Sequence, residues 1–215
     1  MRYDAFAMSK SRRYDQYCPI CHALELVGER WSLLIVRELL KGPKRYTDLL
    51  EGMPGVGTNI LAARLRELEG GGIVQKRKLP PPAASTVYEL TEYGRELKPV
   101  MRELAMWGAR SLGPPTDADE LFEGWLANAV DTMFGPFAPE GTFEFRVGDE
   151  VATLEGGVGR DGPADDPDVV VTATPEGMYH LLIEHRIDGA TVEGNYKLLE
   201  RVLAAAAPEP VSVPA

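Results

Sequence analysis

Gly113-Pro114-Pro115-Thr116 constrains this chain more than any other stretch, because two consecutive prolines cannot continue a helix and the charge changes sign there. Residues 1–113 hold 18 Lys and Arg against 13 Asp and Glu; residues 114–215 hold 5 against 20. The net charge of −10 is therefore the sum of a basic half and a strongly acidic one. This predicts an N-terminal arm at 1–16, a domain at 17–112, a linker at 113–116, a second domain at 117–206 and a tail at 207–215. The basic half suits a polyanion, and the acidic half is the one that stays off it.

An apolar content of 44% permits packed cores. No run approaches the roughly 18 apolar residues of a membrane span, and residues 1–13 carry charges without a signal-peptide core, so a cytoplasmic location without a membrane partner is expected. Neither a Gly-rich phosphate loop nor a metal-binding helix motif nor a nucleophile elbow occurs, so neither enzyme activity nor a cofactor is expected. His180 and His185, five apart on one predicted helix, do not share a face for metal. The acidic run 161–168, broken by Gly and Pro, reads as a solvated loop. Cys18 and Cys21, as Cys-Pro-Ile-Cys, fit three roles: free thiols, a redox pair, or half of a metal site that would need two more ligands.

In the first half, apolar spacing predicts helices over 18–27 and 31–40 and a short segment at 46–50. The segment 57–69 carries Leu61, Leu65 and Leu68 at 4,3 spacing, which places them on one helical face. At about 100° per residue, Asn59, Ala63 and Arg66 fall opposite that face, with Ala62 beside them. Such a strip is either an ordinary solvated helix face or a groove reader, since small residues allow close approach and Asn and Arg read base edges bidentately. Gly70-Gly71-Gly72 stops the helix. Residues 73–78, with Lys76, Arg77 and Lys78, and residues 86–90 then read as two strands around a proline-rich loop. The three cations are placed either for phosphates or as a solvated hairpin edge. Thr91 caps one long predicted helix to about residue 111.

These words, together with Cys18-Pro19, Gly28-Glu29-Arg30-Trp31-Ser32-Leu33-Leu34-Ile35, Gly42-Pro43-Lys44-Arg45-Tyr46-Thr47-Asp48-Leu49, Tyr88-Glu89-Leu90-Thr91, Gly94 and Trp107-Gly108, resemble the HxlR family of bacterial winged-helix regulators, related to the MarR group. The resemblance covers about residues 17–110. It implies an α+β chain with an N-terminal winged helix-turn-helix, a homodimer, and sequence-specific binding to a palindromic operator in double-stranded DNA. It implies DNA contacts from Arg45, Tyr46, Thr58, Asn59, Ala62, Ala63, Arg64, Arg66, Lys76, Arg77 and Lys78, with helix 57–69 in the major groove and the wing on backbone or minor groove. It implies a dimer contact through the first helix and the long one. Gly57 stands where relatives often have a capping Ser, and Cys18 stands where some members sense oxidants.

In the second half, a helix is predicted at 117–134, started by Asp117 and Glu120, then strands at 142–147, 151–155 and 169–174, and helices at 175–186 and 196–206. Phe143-Glu144-Phe145-Arg146-Val147, the junction 169–176 and Val192-Glu193-Gly194-Asn195 resemble a sterol-carrier-protein-like α/β domain. That implies a cavity for an apolar small-molecule effector near Trp125, Met133, Phe134, Phe143, Met178, Tyr179 and Leu182; the same residues equally serve as core. Two further readings stand beside the regulator: a lipid or small-molecule carrier whose first half only dimerises, and a thiol redox sensor acting through Cys18.

Overall fold

Pro19 occupies the first position of the first helix, where a missing N–H costs nothing, and α1 runs Pro19–Val27 in a computed structural model that describes residues 14–82, 84–116, 119, 121 and 124–207. A tight turn follows, in which Trp31 takes a left-handed φ of 80° before α2 (Ser32–Leu40). α3 (Tyr46–Glu51) is short, and the Asp48 carboxylate accepts the Arg45 N–H at 2.9 Å to close its first turn. α4 (Thr58–Gly70) starts from Gly57 in an extended conformation. β1 (Val74–Lys78) and β2 (Thr86–Leu90) pair antiparallel, from Val74 opposite Leu90 to Lys78 opposite Thr86. Lys44 extends the ribbon by one bridge, exchanging backbone hydrogen bonds with Tyr88.

The expected long helix is two pieces, α5 (Glu92–Arg95) and α6 (Leu97–Leu112). Pro99 gives the reason: its ring clashes with the carbonyl four residues earlier, that of Arg95, where α5 ends. Thr91 organises the start of α5. Its hydroxyl accepts the Gly94 N–H at 3.0 Å and donates to the Gly72 carbonyl at 2.6 Å. Gly94 itself lies against the Ile73 carbonyl so closely that no Cβ fits there.

By its packing the chain forms two units that meet at Met101, within α6. The core of the first unit is Ile35, Val36, Leu39, Leu49, Leu61, Leu65, Leu68, Ile73 and Leu90, each at most 3% exposed. Burial of each such side chain is worth about 1.5–3 kcal/mol.

The second unit follows α6 with α7 (Trp125–Met133), a 3-10 turn at Gly135–Phe137, β3 (Thr142–Val147), β4 (Glu150–Glu155), β5 (Val158–Asp161), β6 (Val169–Ala173), α8 (Pro175–Ile183), β7 (Ala190–Gly194) and α9 (Tyr196–Ala206). Among the described residues the strands form one sheet, ordered β5-β4-β3-β6-β7, with β3 and β6 parallel and the other neighbours antiparallel. Alternation along β3 sends Phe143, Phe145 and Val147 into the core, where Phe143 and Phe145 stack with ring centres 6.3 Å apart. Helix residues Leu126, Val130, Met178, Leu181, Leu199 and Val202 belong to the same core.

The three expected strands are present within a residue of their bounds; β5 and β7 are additional, both at sheet edges. The expected helix 117–134 is found from Trp125, after Gly124 at a φ of 74°, and its start signal at Asp117 and Glu120 lies outside the described residues. Helix 175–186 stops at Ile183, short of His185, whose φ of 56° is incompatible with its continuation. Residues 1–13 of the expected arm and 208–215 of the tail also lie outside the described residues.

Candidate nucleic-acid interface

α4 is fixed from inside by Leu61, Leu65 and Leu68, each at most 1% exposed, so its orientation about its own axis is set by apolar burial. Its other side presents Thr58, Asn59 and Arg66 to solvent, with Ala62 and Ala63 half-buried between. Ile60, on the same helix, is 45% exposed. At the N-terminal end the Tyr46 hydroxyl donates to the Thr58 carbonyl at 2.7 Å, linking the first residues of α3 and α4. Arg45, just ahead of Tyr46, is exposed.

Arg64 is placed differently. Its side chain is only 15% exposed and is held by Glu29 at 3.2 Å and by Glu67 one turn along. It ties α4 to the turn between α1 and α2. The sequence carried no local signal for the Glu29 contact, because that residue is separated from Arg64 by two helices.

The cations of β1 are exposed and divided between the two faces of the ribbon: Lys76 and Lys78 on one, Arg77 with Gln75 on the other. The Lys76 ammonium donates to Glu69 at 2.8 Å and lies 5.5 Å from the Tyr88 ring centre; the Glu69 hydrogen bond pushes its pKa up. Arg77 donates to Glu89 at 2.8 Å, and Gln75 donates to the other oxygen of that carboxylate at 2.9 Å. Arg77 first, then Gln75, hold Glu89 below the usual carboxylate range despite its burial. Two of the three wing cations therefore already have internal counter-ions, an arrangement that charge counting along the sequence did not reveal.

Elsewhere, Cys18 and Cys21 are free thiols, both half-buried at the start of α1. Met133, Phe134, Phe143, Met178 and Leu182 are at most 6% exposed within the core of the second unit, and Trp125 packs at its edge. Tyr179 is half-buried, its ring edge-on to His180. Two clefts of about 200 Å³ in the first unit, one beside Leu39 and Arg95 and one beside Leu26 and Tyr93, involve none of these seven. Among the described residues, no group of three or more His, Cys, Asp or Glu is arranged to hold a metal ion, and no helix is long and apolar enough to cross a membrane.

Comparison with known proteins bears on this same region. The family model described as HxlR-like helix-turn-helix matches residues 26–115. The HTH-type transcriptional regulator YodB of Bacillus subtilis is 38% identical over 92 residues, 43% of this chain and 82% of that protein. An uncharacterized HTH-type transcriptional regulator of Synechocystis sp., sll1512, is 43% identical over 84 residues, 39% of this chain; the chain spans 62% of its length. Among solved structures, that of the redox regulator HypR in its oxidized form is 30% identical, covering 44% of this chain and 97% of that one, with a TM-score of 0.41. On the strength of the identity to YodB across most of that protein's length, this chain belongs to the HxlR-like helix-turn-helix family.

Proposed function

We propose that the chain is a sequence-specific DNA-binding transcription regulator that works as a homodimer on a palindromic operator. One observation carries the reading: α4 is anchored by three buried leucines and turns Asn59 and Arg66, two side chains suited to base edges, to solvent. The names of the relatives YodB and sll1512 as transcriptional regulators support it, as does the excess of basic residues in the first 113. In this reading the major groove receives α4, Arg45 and Lys78 meet phosphates, and Lys76 and Arg77 reach DNA by exchanging their glutamates for it. Large apolar side chains left exposed supply faces for a second copy: Ile20 and Leu24 on α1, and Val100, Leu104 and Trp107 on α6.

The test is fluorescence anisotropy on genomic fragments selected by the full chain, followed by footprinting. Asn59→Ala and Arg66→Ala are expected to weaken specific binding by about 1–3 kcal/mol each while leaving the fold intact. Unchanged affinity in both variants would remove α4 from the groove.

The second unit enters the proposal as a sterol-carrier-like sensing part for an apolar molecule, supported by the resemblance of residues 143–147, 169–176 and 192–195 to that kind of domain. Saturable binding of a fluorescent fatty acid, abolished by substitutions at Phe143 or Met178 that keep the unit folded, is the expected result. A second reading, thiol sensing through Cys18, is favoured by the position of that thiol immediately ahead of α1.

A further inference from the structure

We propose that Cys18 and Cys21 form a two-thiol redox site that closes within one chain: a hydroperoxide oxidises Cys18, and Cys21 resolves it as a Cys18–Cys21 disulfide. The proposal rests on the thiol-sensing reading for its first step and goes beyond it in assigning the second thiol.

The backbone places the two sulfurs at the same helix end. Cys18 is the residue preceding α1, with φ −139° and ψ 124°, and Cys21 lies in the first turn, on the side to which a capping side chain reaches back. The Cys18 sulfur lies against the N–H groups of Cys21 and Ile20 without closing a full capping bond, and these groups hold its thiol below the ordinary value. Burial, and then the neighbouring Cys18 thiol, push Cys21 up. The Cys21 thiol is held in reserve by Gln16, to whose side-chain oxygen it donates at 3.7 Å. The pair is therefore unequal: Cys18, beside the N–H groups that open α1, is the thiol more readily oxidised, and Cys21, one turn along and hydrogen-bonded to Gln16, is the one placed to resolve it. Access is from the side of Tyr17, which directly precedes Cys18 and is fully exposed, and both thiols are themselves only half-buried.

In the first step the Cys18 thiolate attacks the peroxide; the S–O bond forms, the O–O bond breaks, and the alkoxide leaves with a proton as the alcohol. Cys18 is then a sulfenic acid. In the second, the Cys21 sulfur attacks that of Cys18; the S–S bond forms, the S–O bond breaks, and the hydroxide leaves with the Cys21 proton as water. One hydroperoxide and two thiols give one disulfide, one alcohol and one water. The chain has no other cysteines, so any disulfide within one chain is this one.

The experiment uses the full reduced chain and cumene hydroperoxide. Trypsin releases residues 14–30 as one peptide carrying both cysteines. After oxidation, alkylation and digestion without reductant, that peptide is expected lighter by two hydrogens and unalkylated, with the protein monomeric on a non-reducing gel. Cys21→Ser is expected to lose this product and to accumulate a Cys18 sulfenic acid that dimedone traps. A disulfide joining two chains, or a parent protein that stops at the same Cys18 sulfenic acid as Cys21→Ser, would overturn the pairing while leaving Cys18 sensing intact. A Cys18 that does not react at all would overturn both, and dimedone labelling separates that outcome from the first.

Discussion

The hydroxyl of Tyr46 and the carbonyl of Thr58 stand 2.7 Å apart, and through them α3 holds the first residue of α4. Tyr46→Phe keeps the ring and removes the donor. A loss of about 0.5–1.5 kcal/mol in urea unfolding is expected. In the reading above, operator binding weakens in the same variant because the groove-facing end of α4 is less well held. A Phe variant as stable as the parent would show that the bond contributes nothing net.

Arg64 and Arg66, two residues apart on α4, are expected to separate by function. Arg66 is exposed, whereas Arg64 is clamped by Glu29 and Glu67. Arg64→Ala is expected to lower stability, and a double-mutant cycle with Glu29→Ala should give a coupling of about 0.5–1 kcal/mol. A cycle with no coupling would mean the clamp does not hold α4 in solution.

Gly94→Ala is expected to be among the most damaging single-methyl additions in the first unit. The new Cβ would overlap the Ile73 carbonyl, which is backbone and cannot rotate away. A loss of about 1–3 kcal/mol or more is expected by thermal or urea unfolding. Gly57→Ser, by contrast, meets only the tip of Ile60 at 3.8 Å and supplies a capping hydroxyl, so it should be neutral or stabilising by about a few tenths of a kcal/mol in urea unfolding.

The wing is expected to weaken in acid. Glu89 is held below its ordinary value of 4.5 by Arg77 and Gln75, so the folded chain binds its proton less readily than the unfolded chain does. The stability this provides is present in full above the unfolded value and is lost as pH falls through the folded one. Glu89→Gln should therefore be less stable than the parent near neutral pH, with the gap closing as pH drops from about 5 to about 3. Urea midpoints across that range check it; a gap that stays constant would assign the effect to packing.

Much of this was legible because it is local. The leucine spacing of α4, the glycines that end it, and the threonine that starts α5 depend on residues within a turn or two of one another, and the structure keeps all three. What was hidden depends on distant partners. The ion pairs of Arg64 with Glu29, of Lys76 with Glu69 and of Arg77 with Glu89 join residues that no local spacing connects. Glu144 sits where strand alternation points outward, yet it is 2% exposed, because Arg146 and the Ala164 N–H close over it. β7 was read only as a lead-in to α9, since Ala190–Gly194 is short and holds its place through β6. The break at Glu96 was also local, announced by Pro99 three residues on.

Thr91 stands at a joint. One oxygen serves both the turn that leaves α4 and the helix that begins after the ribbon, so these segments share a fastening rather than merely adjoining. Any tilt of α4 must either carry the root of α5 along with it or snap that fastening, which makes a side chain of three heavy atoms the hinge pin between the two movements.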